Sequence, residues 1–156
     1  MHHIKTIEAK LNAKDYKFAL VATRFNDFIV KQLIDGAINQ LVQHNVSFDN
    51  LHIIRVPGCY ELPLAVKRLA ESKKYAGIIC LGAIIKGDTH HFEILTNETS
   101  KSLSQLMLEY NLPITFGIVT TYNLEQAIER AGNKGGNKGA AAAGACLEMV
   151  NLMSQL

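Results

Sequence analysis

Several things are missing from this chain of 156 residues, and each absence narrows what it does. No apolar stretch reaches the ~20 residues that a membrane-crossing helix needs, so no association with a bilayer is expected. The start, Met1-His2-His3-Ile4-Lys5, lacks the apolar region of a signal peptide. Cysteine is scarce. Cys59, Cys80 and Cys146 are odd in number, widely spaced and form no C-x-x-C, which disfavours both a disulfide framework and a zinc site. A reducing cytoplasm is the expected location. Charge of one sign is also lacking: the net charge is +2, with no dense basic run, so nucleic acid is not an expected partner. Tryptophan is absent and proline occurs three times. There is no internal repeat, no linker and no low-complexity segment beyond an Ala-rich stretch near the end.

What remains is rich in core residues. Hydrophobic residues make up 48% of the chain and charged residues 19%, a globular composition rather than a disordered one. The length favours a single domain over 1–156, with residues 1–15 as an N-terminal arm. In that arm His3-Ile4-Lys5-Thr6-Ile7 alternates weakly and reads as an edge strand, one that could be added to a partner's sheet.

Four strands follow, each leading into a helix. The strands are expected at 17–22, 51–56, 75–81 and 113–120, with 51–56 a core strand like the first. The best-patterned helix follows Asp27, its expected N-cap, with Ile29/Val30, Leu33/Ile34, Ala37/Ile38 and Leu41/Val42 forming a ridge. Pro63 suits the first turn of a helix running to Lys73. A long helix over 92–110 has a small, polar middle, Thr96 to Ser102, suited to a solvent-lined channel or to close packing on a neighbour. Asn123 and Gln126 resemble a capping box for a helix ending at Gly132. The last helix, 140–156, is apolar nearly all round, and its second side is expected to be covered by another subunit. Strand–helix alternation at this spacing predicts an α/β fold: a flavodoxin-like, doubly wound, four-stranded parallel sheet with helices on both faces.

In such a sheet ligands bind beyond the carboxyl ends of the strands, where the chain offers 23–26, 57–61, 83–91 and 120–123. The third of these organises the rest. Cys80-Leu81-Gly82-Ala83-Ile84-Ile85 runs out of the core into Lys86-Gly87-Asp88-Thr89-His90-His91-Phe92-Glu93. Asp88 or Thr89 can cap the next helix, whose free N–H groups attract anions. His90 and His91 are proton carriers near neutral pH. Their side chains diverge by about 100° on a helix, so one pocket takes only one of them.

The other candidates each have two readings. Phe25 is either a staple packed on its own helix or a ring that stacks on a flat heterocycle. Glu61 is either an acidic first-turn residue or an acceptor for a hydroxylated ligand. Cys59 is a small, semi-buried side chain with nothing beside it to make it a thiolate nucleophile. Arg130 either satisfies a helix C-terminus or forks a phosphate. The glycine-rich 132–139 segment is not a P-loop, because G-x-x-x-x-G-K-[ST] is absent, and no H-E-x-x-H suggests a metal.

Taken together, Arg24-Phe25-Asn26, Val56-Pro57-Gly58-Cys59-Tyr60-Glu61-Leu62-Pro63, Lys86 to Glu93, Pro113 to Gly117 and Glu125 to Gly139 resemble the signature segments of the lumazine synthase family, in order and spacing, over nearly the whole chain. The resemblance implies condensation of 5-amino-6-(D-ribitylamino)uracil with 3,4-dihydroxy-2-butanone 4-phosphate to 6,7-dimethyl-8-ribityllumazine, phosphate and water, without metal or cofactor. By the same resemblance Phe25 would stack on the pyrimidine. Cys59, Tyr60 and Glu61 would hold the ribityl chain and ring, and Ala83, Ile84 and Ile85 would line the heterocycle site. Asp88 and Thr89, with Arg130, would bind the phosphate, and His91 would move protons while His90 falls at a variable position. Asp88 would bind through its N–H, with its carboxylate turned away as a cap. Phe116 and Arg130 would arrive from a neighbouring subunit, with Lys138 in a matching segment. Pentamers, shells of twelve pentamers and association with riboflavin synthase are implied as well. Two departures stand out: Cys59 where Ser or Ala is common, and Ile94-Leu95 in place of an aromatic-containing pair.

Two rivals from other classes are a flavin-binding carrier on the same sheet and a non-catalytic shell protein. The carrier needs a hydroxyl-rich phosphate loop after the first strand. Ala22-Thr23-Arg24-Phe25-Asn26-Asp27 has one hydroxyl and no glycine.

Overall fold

The computed structural model describes residues 3–13, 15–132 and 136–156. Four parallel strands, β1 (Phe18–Thr23), β2 (Leu51–Val56), β3 (Gly77–Ile85) and β4 (Ile114–Thr121), form one sheet in the order β2-β1-β3-β4. The helices are α1 (Asp27–Gln43), α2 (Leu62–Ser72), α3 (His91–Tyr110), α4 (Leu124–Ala131) and α5 (Lys138–Met153). This is the doubly wound α/β arrangement that the sequence pattern predicts.

Alternation along the strands divides the core in two. Phe18, Leu20, Ala22, Ile79 and Leu81 face α1, α4 and α5. Ala19, Val21, Ile78, Cys80 and Ile118 face α2 and α3. Every residue of β1 is buried, as are the first eight of β3, which is why these two read as near-continuous apolar runs. The chain leaves β1 toward β2 and then crosses over to β3. The crevice beyond β1 and β3 is therefore the switch point at which such sheets bind ligands.

The structure corrects several expectations. The strand 51–56 is not a core strand: β2 is an edge, and only Val56 is fully buried. The third strand does not stop at Leu81 but runs on to Ile85, so Ala83, Ile84 and Ile85 are strand rather than loop. The N-cap of α1 is Asn26, in the left-handed region at φ 61°, and not Asp27. An amide side chain tolerates that conformation. Asp27 instead pairs with Lys31 and Arg55. Asn123 caps α4 by accepting from the Gln126 N–H at 2.9 Å, but the Gln126 side chain returns to the N–H of Tyr122, one residue short of a capping box.

The last helix shows why an apolar circumference alone does not mean a partner. One side of α5 lies on the sheet, and the other lies on α1 of the same chain. Gly139 makes that crossing possible, since a Cβ there would overlap the backbone of Leu33. Much of the side expected to meet another subunit is covered by α1, and an exposed strip remains at Ala141, Ala145, Glu148, Met149 and Met153.

The polar middle of α3 is mostly exposed, and Thr96 satisfies itself on the Phe92 carbonyl at 2.8 Å. Thr99 is the exception, buried with an unpartnered hydroxyl. Residues 3–13 take no place in this chain's own sheet. Their backbone is held at the end of α5, where Asn151 donates to the Asn12 carbonyl at 3.0 Å and Gln155 to the Glu8 carbonyl at 3.3 Å.

Candidate active site

A cavity of about 500 Å³ opens at the switch point. Its floor is the end of β3, Ala83 to Ile85. One wall is Thr23, Phe25 and Asn26, and the second is Pro57 to Glu61. Gly87, Thr89 and the first turn of α3, with His91, Phe92 and Leu95, close the third side.

Backbone bonds splice the first two walls together. The N–H of Arg24 donates to the Val56 carbonyl at 2.8 Å, and that of Phe25 to the Pro57 carbonyl at 3.0 Å. The Asn26 amide donates across the cavity base to the Ala83 carbonyl at 3.1 Å. Phe25 is left 72% exposed, so its ring is not stapled to α1 and presents a free face to the cavity. Tyr60 stands at the mouth, 70% exposed.

Cys59 lies at the base of its wall, 4% exposed. Burial, aided by the nearby Glu61 carboxylate, pushes its thiol up to about 12. It is a neutral lining group at physiological pH and not a nucleophile. Glu61 sits at the start of α2, its side chain exposed and free to accept from a ligand.

The two histidines separate as helical geometry requires. His91 lines the cavity. His90 is the N-cap residue of α3, with no side-chain cap bond, and it turns outward to Glu93 with Nδ1 3.6 Å from the carboxylate. Asp88 caps nothing, contrary to expectation. Thr89 accepts from the His91 N–H at 3.4 Å instead, because its hydroxyl is two residues before the first helical N–H. Gly87 and Thr89 reach the cavity, and the Asp88 side chain does not line it.

Three expected residues lie elsewhere. Arg130 and Lys138 border a second cavity of about 350 Å³, walled by the end of β4 and by α4. Phe116 lines neither, and the Lys138 ammonium sits 5.9 Å from the centre of its ring. Together they form a basic, partly aromatic corner along β4, an outer strand of the sheet. Residues 133–135 of the glycine-rich segment lie outside the described residues.

Asn26 as a tie from wall to floor, and Phe92 with Leu95 as part of the third side, escaped the sequence reading. The first had a signal in the preference of Asn for left-handed backbone before a helix. The second had one in the i, i+4 spacing of His91 and Leu95, which places both on one helix face.

The arrangement joins a flat apolar slot, a polar flank and an imidazole beside a turn with free N–H groups. It can hold a heterocycle and move protons at its edge. The family model for 6,7-dimethyl-8-ribityllumazine synthase matches residues 15–154. A curated relative with that name, from Nitratidesulfovibrio vulgaris strain DP4, is 59% identical over 156 residues, the whole of both chains. Its counterpart from Desulfovibrio desulfuricans is 50% identical over 156 residues, again the whole of both. One from Chloroherpeton thalassium is 49% identical over 154 residues, 99% of each.

Proposed function

This chain belongs to the 6,7-dimethyl-8-ribityllumazine synthase family, and from that premise we propose that its cavity condenses 5-amino-6-(D-ribitylamino)uracil with 3,4-dihydroxy-2-butanone 4-phosphate. It is a transferase of riboflavin biosynthesis. The products are 6,7-dimethyl-8-ribityllumazine, phosphate and water.

One observation carries the assignment of roles: Phe25, the β3 floor and His91 converge on a single cavity. The pyrimidine lies on the apolar floor with Phe25 stacked on its face, and the ribityl hydroxyls meet Tyr60, Glu61 and the rim beside Cys59. The ketone's phosphate takes the N–H groups of Asp88 and Thr89 at the start of α3. The pyrimidine amine attacks the ketone carbonyl, and loss of water gives an imine. Loss of the carbinol-carbon proton expels phosphate and leaves an enol, the enol becomes a ketone, and the ribityl-bearing amine closes the ring on it with loss of a second water. His91 takes and returns protons in these steps. Holding the two reactants side by side supplies much of the rate, as an entropic contribution.

Arg130 and Phe116, with Lys138 beside them, complete the site of a neighbouring copy. Supporting this are the absence of a free side-chain cation for the phosphate among the cavity's described lining residues, and the basic corner left along β4. The assembly is a homopentamer, alone or as twelve pentamers in a shell that associates with riboflavin synthase. The 1–15 arm adds to a neighbour's sheet, in keeping with its exposed Ile4 and Ile7 and the lack of strand pairing among the described residues 3–13. The three free, buried thiols suit a reducing cytoplasm. No helix among the described residues is long and apolar enough to cross a membrane.

The test is direct. Purified protein mixed with both substrates yields the lumazine, followed by its fluorescence, and phosphate in equal amount. No product, with both substrates shown to be intact, defeats the proposal.

A further inference from the structure

Phe25 projects from a loop of three residues, and its ring is too exposed for packing to fix its position. Its place over the cavity is therefore set by the backbone that carries it. That backbone has two ends: Thr23, the last residue of β1, and Asp27, the first of α1. A single guanidinium nitrogen joins them. Nη2 of Arg55 donates to the Thr23 carbonyl at 2.9 Å and also to the Asp27 carboxylate. Arg55 stands on β2, beside Ala22 in the strand register. The next two residues of its strand and loop, Val56 and Pro57, offer the carbonyls that receive the N–H groups of Arg24 and Phe25. Lys31, one turn along α1, holds the same carboxylate from the other side at 3.1 Å. The ring's anchorage thus runs through one guanidinium nitrogen whose two N–H bonds span the mouth of its loop.

We infer that Arg55 is a positioning residue for the pyrimidine subsite: by tying Thr23 to Asp27 it holds the Phe25 loop in its stacking position. The inference rests on the reading of Phe25 as the ring that stacks on the pyrimidine. Arg55 is not among the residues that line the cavity. It acts through Phe25. Because the ion pair is partly exposed, it adds little to global stability, and its loss loosens the loop without unfolding the domain.

The experiment is a double-mutant cycle on the full-length protein in its native assembly. KM for each substrate and kcat are measured for wild type, Phe25→Ala, Arg55→Gln, Arg55→Lys and the Phe25→Ala/Arg55→Gln double variant, with thermal midpoints alongside. Loss of a stacking contact corresponds to ~3–10-fold in affinity. Arg55→Gln is expected to raise the pyrimidine KM within that range while leaving the phosphate ketone's KM and the thermal midpoint near wild type. Arg55→Lys recovers part of the loss. In the Phe25→Ala background Arg55→Gln costs nothing further, because its effect passes through the absent ring. Additive losses in the double variant, or equal rises in both KM values, overturn the inference and leave Phe25 as the stacking ring. If Phe25→Ala itself leaves the pyrimidine KM unchanged, the stacking assignment fails and the role of Arg55 falls with it.

Discussion

The side-chain amide of Asn26 donates to the main-chain oxygen of Ala83 at 3.1 Å, joining the loop after β1 to the end of β3, 57 positions apart in the chain. The same residue holds φ at 61° where α1 begins. Two substitutions separate these roles. Asn26→Gly keeps the left-handed backbone and loses the amide, so it should cost about the ~1 kcal/mol of one hydrogen bond. Asn26→Ala loses both and should cost ~2–3 kcal/mol. Urea midpoints at matched slope decide it, and equal losses would mean that the backbone conformation adds nothing.

His91→Ala should lower turnover by ~10²–10⁴, the contribution of a positioned general acid–base group. His90→Ala should stay close to wild type, since that ring faces Glu93 and solvent. Steady-state rates for the two variants distinguish adjacent residues of identical chemistry. Unchanged turnover in His91→Ala would remove it from the mechanism.

Arg130 and His91 border different cavities of one chain, which makes sharing between copies measurable. Arg130→Ala should raise the KM of the phosphate ketone above all, through the lost charge-assisted contact. Unfolding His91→Ala and Arg130→Ala chains together and refolding the mixture should return activity that neither shows alone. Mixed assemblies would contain sites built from the intact half of each chain. A refolded mixture no more active than the average of its components would mean that each chain holds a self-sufficient site.

The three thiols should resist modification. Burial raises all of them, with Cys59 and Cys146 reaching about 12, while Cys80 is raised further by its neighbouring cysteines. At pH 8 a thiol reagent should modify none of them faster than the protein unfolds. The sign for stability follows. The folded values lie above the ordinary 9.0, so this contribution is complete below pH 9 and declines as pH rises toward 12. Chemical unfolding across that window should show a shallower decline in Cys59→Ala than in wild type.

Gly139→Ala should destabilise by ~1–3 kcal/mol, because the added methyl group must push α5 away from the Leu33 carbonyl on α1. The thermal midpoint reports the loss. An unchanged midpoint would show that the two helices separate at no cost.

Much of the fold was legible because its signals are local and periodic. The apolar runs of β1 and β3, the four-residue ridge of α1 and the proline of α2 are each sufficient within a dozen residues. The sequence pattern could not tell an edge strand from a central one: Leu51 to Val56 reads as core, and only the strand order leaves it exposed. Nor could composition say what covers α5, since a second helix of the same chain and a second subunit bury the same side chains. The cavity's loops were legible, and helical geometry forbade both histidines to face one cavity, but the choice of His91 came from the family resemblance and not from spacing. The Arg55 tie was not. It joins residues 28 and 32 positions apart through one nitrogen, and no local spacing carries that information.

The cavity's floor is the carboxyl end of β3, which beyond Leu81 pairs with β4 alone, whereas the body of the strand is buried between β1 and β4. The amide hydrogens of that body, from Ile78 to Leu81, should therefore exchange with solvent only through global opening, whereas those of the walls at 24–26 and 87–90 exchange through small local excursions. The strand that carries the floor cannot be lost while the domain stays folded. Rate and affinity thus tolerate fluctuation in the parts that admit substrate, and marginal damage elsewhere in the chain shows first as a smaller population of intact sites rather than as a population of altered ones.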